Sequence, residues 1–233
     1  MSDICLHSKH LAALLFLSAT LGAVATQAFA ATTPTSWDVA SEFDDQANPA
    51  STVWSYGEEP TLNGPFTLLT TPLNASAGNV LGWTNASGFP LVDHNVNPFP
   101  YVAGSTFPVT LQPHGLQMHP GPGPNCAYAV ARFTAPYSGK YKISGQFFGL
   151  DDNLTQTTTD VEISVNSAPP VFTGTIDLNT PAHSASFTTI NATLAAGDTV
   201  DFQVGCGPSG DYSFDSTGLN AVIEATAKKK KGR

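Results

Sequence analysis

The stretch from Ala31 to Thr226 contains one arginine, Arg132, among 17 acidic side chains. A guanidinium presents a rigid fork of donors that fits a carboxylate, or a pair of ligand oxygens, two bonds at a time. Arg132 lies in an alternating run and shares a strand face with Val130 and Thr134. Asp215 is the first carboxylate expected to meet it, with the loop around His119 completing the cluster. Trp54 and Tyr56 offer flat rings of the kind on which a pyranose stacks. Rings plus a few placed polar groups make a sugar-binding chemistry. Trp83, Phe99 and Tyr101 supply further aromatics near loops, and Asp93 and His114 further polar groups. Each has a plainer reading beside it. Most Trp and Tyr side chains in a sandwich are core, and an Arg–carboxylate pair can simply fasten the terminal loop to a sheet.

Two loops are rich in oxygen ligands, Asp151-Asp152-Asn153 and the segment from Asp211 to Asp215. Calcium takes about six to eight oxygens, so Asp151, Asp152, Asp211 and Asp215 are the metal candidates, against a default of solvated acidic turns. Neither loop has the EF-hand pattern. His114 and His119 stand five residues apart, each near a proline and a glycine, and do not have the spacing of zinc ligands on a helix face. No motif calls for an organic cofactor. There is no G-x-S-x-G elbow, H-E-x-x-H pair or P-loop. Two carboxylates can approach each other as glycoside hydrolysis requires, but in so acidic a chain that carries little weight. Asn-x-Ser/Thr sequons at Asn74, Asn85, Asn153 and Asn191 matter only in a eukaryotic host.

These groups need a frame, and the chain supplies strands. After residue 30 no stretch keeps an i, i+3, i+4 apolar period over three turns. Short alternating runs separated by Gly and Pro predict strands at Trp37–Phe43, Val53–Gly57, Phe66–Thr70, Val80–Trp83, Phe107–Leu111, Ala127–Thr134, Lys140–Phe148, Asp160–Val165, Val171–Ile176, Ser184–Leu194, Thr199–Val204 and Leu219–Thr226. Gln112 to Asn125 reads as a long loop. Period two turns Val200, Phe202 and Val204 inward, as it does Val161, Ile163 and Val165, and Tyr141 and Ile143. The fold class is all-β, an antiparallel sandwich of jelly-roll type.

The termini and charge indicate where it works. Lys9 and His10 precede an apolar run, Leu11 to Val24, and Ala28-Phe29-Ala30 is a small-residue cleavage site, so residues 1–30 read as a signal peptide rather than a membrane anchor. The domain is 31–226, followed by a basic tail, 227–233, whose plain reading is a solvated end. The domain's three basic side chains, Arg132, Lys140 and Lys142, leave it at −14. That balance excludes nucleic acid and anionic membrane surfaces as partners, and no transmembrane segment is expected in the mature chain. Cys126 and Cys206 remain after cleavage and are expected to pair in an oxidising compartment. The expected location is secreted: extracellular, periplasmic or at the cell surface.

The chain resembles a family of exported bacterial β-sandwich proteins that often carry PEP-CTERM sorting tails. The resemblance rests on Trp54-Ser55-Tyr56-Gly57, His119-Pro120-Gly121, Arg132-Phe133-Thr134-Ala135-Pro136, Thr159-Asp160-Val161, Leu194 to Gly205, and Asp215-Ser216-Thr217-Gly218-Leu219. It spans nearly the whole mature chain. It implies a fold similar to galactose-binding-like carbohydrate-binding modules and no particular activity. The Pro-Glu-Pro sorting tail is missing, which removes that route of membrane sorting from what the resemblance implies. The strand pair and Gly-Asp turn are also similar to trimeric C1q/TNF-like jelly rolls. The function expected is non-catalytic binding of a polysaccharide or cell-surface polymer at loops carrying Trp54, Tyr56, His119, Arg132 and Asp215. The alternatives are a self-assembling surface or matrix protein and, third, a glycan-active hydrolase or lyase.

Overall fold

The computed structural model describes residues 36–49, 52–75, 80–152, 157–177 and 183–225. The expected signal peptide (1–30), the expected basic tail (227–233) and Asn153 lie outside them. The strands, in chain order, are β1 Ser36–Asp38, β2 Trp54–Glu59, β3 Thr67–Leu68, β4 Thr71–Ala75, β5 Val80–Thr84, β6 Leu91–Asn95, β7 Tyr101–Ala103, β8 Val109–Leu111, β9 Leu116–His119, β10 Tyr128–Thr134, β11 Gly139–Gly149, β12 Thr158–Val165, β13 Phe172–Asp177, β14 Ser184–Leu194, β15 Thr199–Val204 and β16 Thr217–Ala225. One 3-10 turn, Gly207–Ser209, is the only helical element among the described residues.

An eight-stranded sheet runs β14-β11-β16-β9-β6-β5-β4, with β1 also paired to β16. A six-stranded sheet runs β13-β12-β15-β10-β2-β3, and β7 and β8 form a separate hairpin. The strand pairings are antiparallel, as expected of a sandwich. Apolar residues from the two inner faces make one core. Ala129, Ala131, Phe133, Val161, Ile163, Val200, Phe202 and Val204 come from the six-stranded sheet, and Tyr141, Ile143, Phe147, Leu219 and Ile223 from the other. Burying this apolar area is the main force for folding, at roughly 25 cal/mol per Å².

Four strands escaped the sequence reading. The Gln112–Asn125 segment is not all loop: β9 lies within it, with Leu116 and Met118 fully buried. β4 carries a proline, β6 carries Asp93-His94, and β7 is only three residues long. Conversely, the strand expected from Trp37 to Phe43 stops at Asp38. There the Asp38 carboxylate accepts the backbone N–H of Ala40 and Ser41 at 3.0 and 2.8 Å and turns the chain.

Two glycines have specific tasks. Gly197 takes a left-handed conformation in the turn between β14 and β15. Gly145 (φ +153°) sits where the β11–β14 register slips by one residue, and a Cβ there would run into the Asn220 carbonyl and the Phe187 ring.

Cys126 and Cys206 form a disulfide closing a loop of 80 residues. It joins the segment entering β10 to the segment leaving β15. A loop of that length raises the folded state's relative stability by about 4–5 kcal/mol in the chain-entropy description. We expect Cys126→Ser/Cys206→Ser to lower the unfolding free energy by about 2–5 kcal/mol in urea titration. An unchanged denaturation midpoint would show that the bridge adds nothing to the sheet pairing around it.

Candidate functional site

The structure disperses the five residues that the sequence grouped as a binding site. Trp54 and Tyr56 alternate inward on β2 and are almost fully buried (1% and 0% exposed). The Trp54 ring packs against Phe133 and Phe202, and Tyr56 against Phe43 at 4.5 Å between centroids. They are core, so the expected exposed platform at these rings is corrected. The cause is the strand period: β2 sits inside the six-stranded sheet, where its inward face meets the opposite sheet.

Arg132 pairs with Asp201 and not with Asp215. Its Nε donates to Asp201 Oδ1 at 2.5 Å and its Nη2 to Asp201 Oδ2 at 2.9 Å. Glu59 lies 3.5 Å from the same Nη2, and the guanidinium stacks 3.8 Å over the Phe66 ring. Register explains the choice. Arg132 on β10 stands directly opposite Asp201 on β15, whereas Asp215 lies in a loop before β16. Gln203 extends the network, donating to Glu59 at 2.7 Å and accepting from Ser164 at 3.0 Å. Arg132 is therefore a staple across three strands, β2, β10 and β15, on the outer face of the six-stranded sheet.

The carboxyls on that face are pushed upward by burial. Glu59 rises to about 7, because desolvation outweighs the bond from Gln203 and the longer contact with Arg132. Asp201 is also raised, with the Arg132 bonds opposing its burial. Glu162 climbs to about 8 through burial and the adjacent Asp160 carboxylate. Tyr128 donates to Asp160 at 2.6 Å. On the other sheet Asp93 is pushed to about 8 by burial alone, and its Oδ1 has no hydrogen-bond partner.

His119 and Asp215 do come near each other, through Asp151. The Asp151 carboxylate accepts the Ser216 N–H at 2.6 Å and sits in the electrostatic reach of both His119 and Asp215. Asp215 is fully buried, accepts from Thr159 Oγ1 at 3.1 Å and rises to about 7 by desolvation. The His119 Nδ1 lies 2.7 Å from the Pro120 carbonyl, which can only accept, so that nitrogen carries the proton. The His119 ring packs against Phe89 and Tyr212 and its burial favours the neutral imidazole.

Above this cluster is a groove of about 480 Å³. Pro108, Thr110 and Gln112 line one wall, and Phe148, Gly149, Leu150, Asp151 and Asp152 the other. The two walls are locked in place. Thr110 N–H donates to the Leu150 carbonyl, Leu150 N–H to the Ser216 carbonyl, and Val109 bridges Asp151. Beneath them Val80, Leu111 and Leu150 form a small separate core, with Tyr101, Val109 and Phe148 packed on it. Four large apolar side chains remain exposed around the same hairpin: Val96, Phe99, Val102 and Phe107. The groove thus pairs an apolar wall with carboxylate, amide and hydroxyl groups, the combination that small polar ligands use. Sequence reasoning had named Asp151 and Asp152 only as metal candidates. The Gln112 and Phe148 walls were missed because they meet only after β8 pairs outside both main sheets. Among the described residues no group of three His, Cys, Asp or Glu side chains converges on a metal position. Asp211 is exposed and accepts the Ser213 N–H, as in a common turn.

No family model matches the chain, and no curated protein does. Solved structures similar to it include CBM51 from Clostridium perfringens in complex with methyl-galactose (14% identity, 67% of this chain and 94% of that one, TM-score 0.33). A family 35 carbohydrate binding module from Clostridium thermocellum matches at 15% identity over 67% of this chain and 100% of that one, TM-score 0.28. An exo-beta-1,3-galactanase from Phanerochaete chrysosporium matches at 17% identity over 61% of this chain and 32% of that one, TM-score 0.29. At such TM-scores these likenesses carry no weight for ligand or chemistry.

Two outcomes follow from the buried charges. Arg132→Ala strands Asp201 and Glu59 without their cation and is expected to cost about 3–5 kcal/mol in urea unfolding, with Arg132→Lys between it and the wild type; a wild-type midpoint for Arg132→Ala contradicts the staple. The second concerns pH. An unfolded glutamate titrates near about 4.3, while folded Glu162 titrates at about 8. Between those values the folded chain binds more protons, so stability falls as pH rises through that window. Asp93, Asp215 and Glu59 act in the same direction. The melting temperature should drop from about pH 5 to about pH 8, and Glu162→Gln should flatten that decline. An equally steep decline in Glu162→Gln removes Glu162 as a source.

Proposed function

We propose that this chain is an exported, non-catalytic β-sandwich that binds carbohydrate or a related extracellular polymer in the groove between β8 and the end of β11. The observation that carries the reading is the groove itself. It has the volume of a ligand site, an apolar wall for a sugar ring, and Thr110, Gln112, Asp151 and Asp152 placed for hydroxyls. The exposed Phe99 and Phe107 of the adjoining hairpin region add aromatic surface for stacking. Export is supported by the Cys126–Cys206 bridge, a bond that persists in oxidising compartments.

Assembly between copies is the second reading, and one observation favours it. β14 lies at the edge of the eight-stranded sheet and runs eleven residues without a charge or a proline. Unprotected edges of that kind pair with other chains.

A glycan array and polysaccharide pull-down separate the two readings. The purified chain is compared with Gln112→Ala and Asp152→Ala in the groove and with Arg132→Ala in the staple, circular dichroism checking that each is folded. Saturable binding that the folded groove variants lose is expected. No binding to any glycan, with light scattering showing concentration-dependent oligomers, overturns the binding reading in favour of assembly.

A further inference from the structure

The charge of the groove narrows its ligand class, within the binding reading above. Asp151 and Asp152 line it, and no lysine or arginine does. Both carboxylates lie on one short segment directly after β11, so their charges face the same ligand. The described residues contain three Lys and Arg side chains, and none can answer that field. Arg132 is bound to Asp201 and Glu59 on the other sheet. Lys140 and Lys142 lie at the start of β11 while the groove lies at its end. At about 3.3 Å per residue that is roughly 30 Å, beyond a Debye length of about 8 Å in physiological salt. Of the histidines at this end, His119 is held toward its neutral form by burial, and His183 meets Gly149 through its backbone carbonyl.

A ligand carboxylate or sulfate entering the groove therefore meets the like charge of Asp151 and Asp152 and, among the described lining residues, no lysine or arginine. A protonated amine meets two carboxylates and gains charge-assisted hydrogen bonds. We infer that the groove takes a glycan bearing free amino groups, an amino-sugar polymer, and rejects polyuronates and sulfated glycans. Phe148, Leu150 and Pro108 face the sugar ring, Thr110 and Gln112 its hydroxyls, and Asp151 and Asp152 the ammonium groups.

The test is calorimetric titration at mildly acid pH, where glucosamine amines are protonated. The probes are a chitosan oligosaccharide, the fully N-acetylated oligosaccharide of the same length, a neutral glucan oligosaccharide and polygalacturonate. The expected result is a preference of at least about fivefold for the free-amine oligomer over its acetylated counterpart, weakened by salt. Asp152→Asn should reduce that preference about fivefold, and Asp151→Asn, which keeps an acceptor for Ser216, should reduce it too. Glu224→Gln, which removes one exposed charge at the far end of β16, should leave it unchanged. Equal binding of all uncharged and amine-bearing glycans, indifferent to the groove variants, overturns the amine assignment and leaves the binding reading standing. So does an equal loss in Glu224→Gln, which marks a diffuse attraction to an acidic domain. Binding of polygalacturonate in the groove also overturns the amine assignment. If none of the four probes binds and the glycan array is blank, both fall together.

Discussion

One guanidinium organises the outer face of the six-stranded sheet. Arg132 faces Asp201 across one strand pair and Ser55 across the other, and Phe66 lies under its plane. That arrangement lets outward-pointing residues be buried. Asp201, Gln203, Ser164 and Val130 are all 0% exposed, although each points away from the core. Ordinarily an antiparallel sheet leaves one face to solvent. Here the second face is closed by a polar inlay, and a polar inlay is stable only while its hydrogen bonds are complete. The pairing of Arg132 with Asp201 supplies the charge neutralisation that the rest of that inlay requires.

The same scarcity of cations governs the other buried acids. With Arg132 committed, Glu162, Asp93 and Asp215 have no cation facing them and must be protonated or bound by N–H donors. Asp215 accepts the Thr158 N–H and the Thr159 hydroxyl, and two further acids are held by donors in the same way. Asp151 takes the Ser216 N–H, and Asp160 takes Tyr128 and the Gly207 N–H. Glu162 and Asp93 have titrations displaced to about 8 by burial. An acid-rich chain with few bases therefore folds most securely where carboxyls keep their protons, and its stability is tied to pH through the interior rather than the surface.

Much of the frame was legible in the residues, and most of the site was not. Thr199–Val204 reads directly from alternation because the strand is regular and opens on the Gly197-Asp198 turn, and Ser184–Leu194 reads as a strand from its composition although its register slips opposite Gly145. β6 and β9 were hidden because each mixes buried polar residues, Asp93 and His119, into its apolar pattern. The disulfide was readable from cysteine arithmetic alone. The partner of Arg132 was not, because choosing between Asp201 and Asp215 needs strand register, which period two leaves undetermined. Trp54 and Tyr56 misled for a related reason. A sequence shows that a ring is present, and only the position of its strand in the sheet decides whether the ring is core or platform.

The groove depends on long-range pairing still more. Its walls come from β8 and from the end of β11, which approach because Leu150 is held from both sides, by Thr110 and by Ser216. Leu150 also anchors the small core with Val80 and Leu111. A change at Leu150 therefore disturbs both walls of the groove at once. The groove's carboxylates belong to an acidic population with three described cations, of which Arg132 is on the other sheet and Lys140 and Lys142 lie at the opposite end of β11. The groove is left negative because Arg132, the domain's one arginine, is needed to hold the fold, so the constraint that stabilises the sandwich also sets the sign of the ligand it can accept.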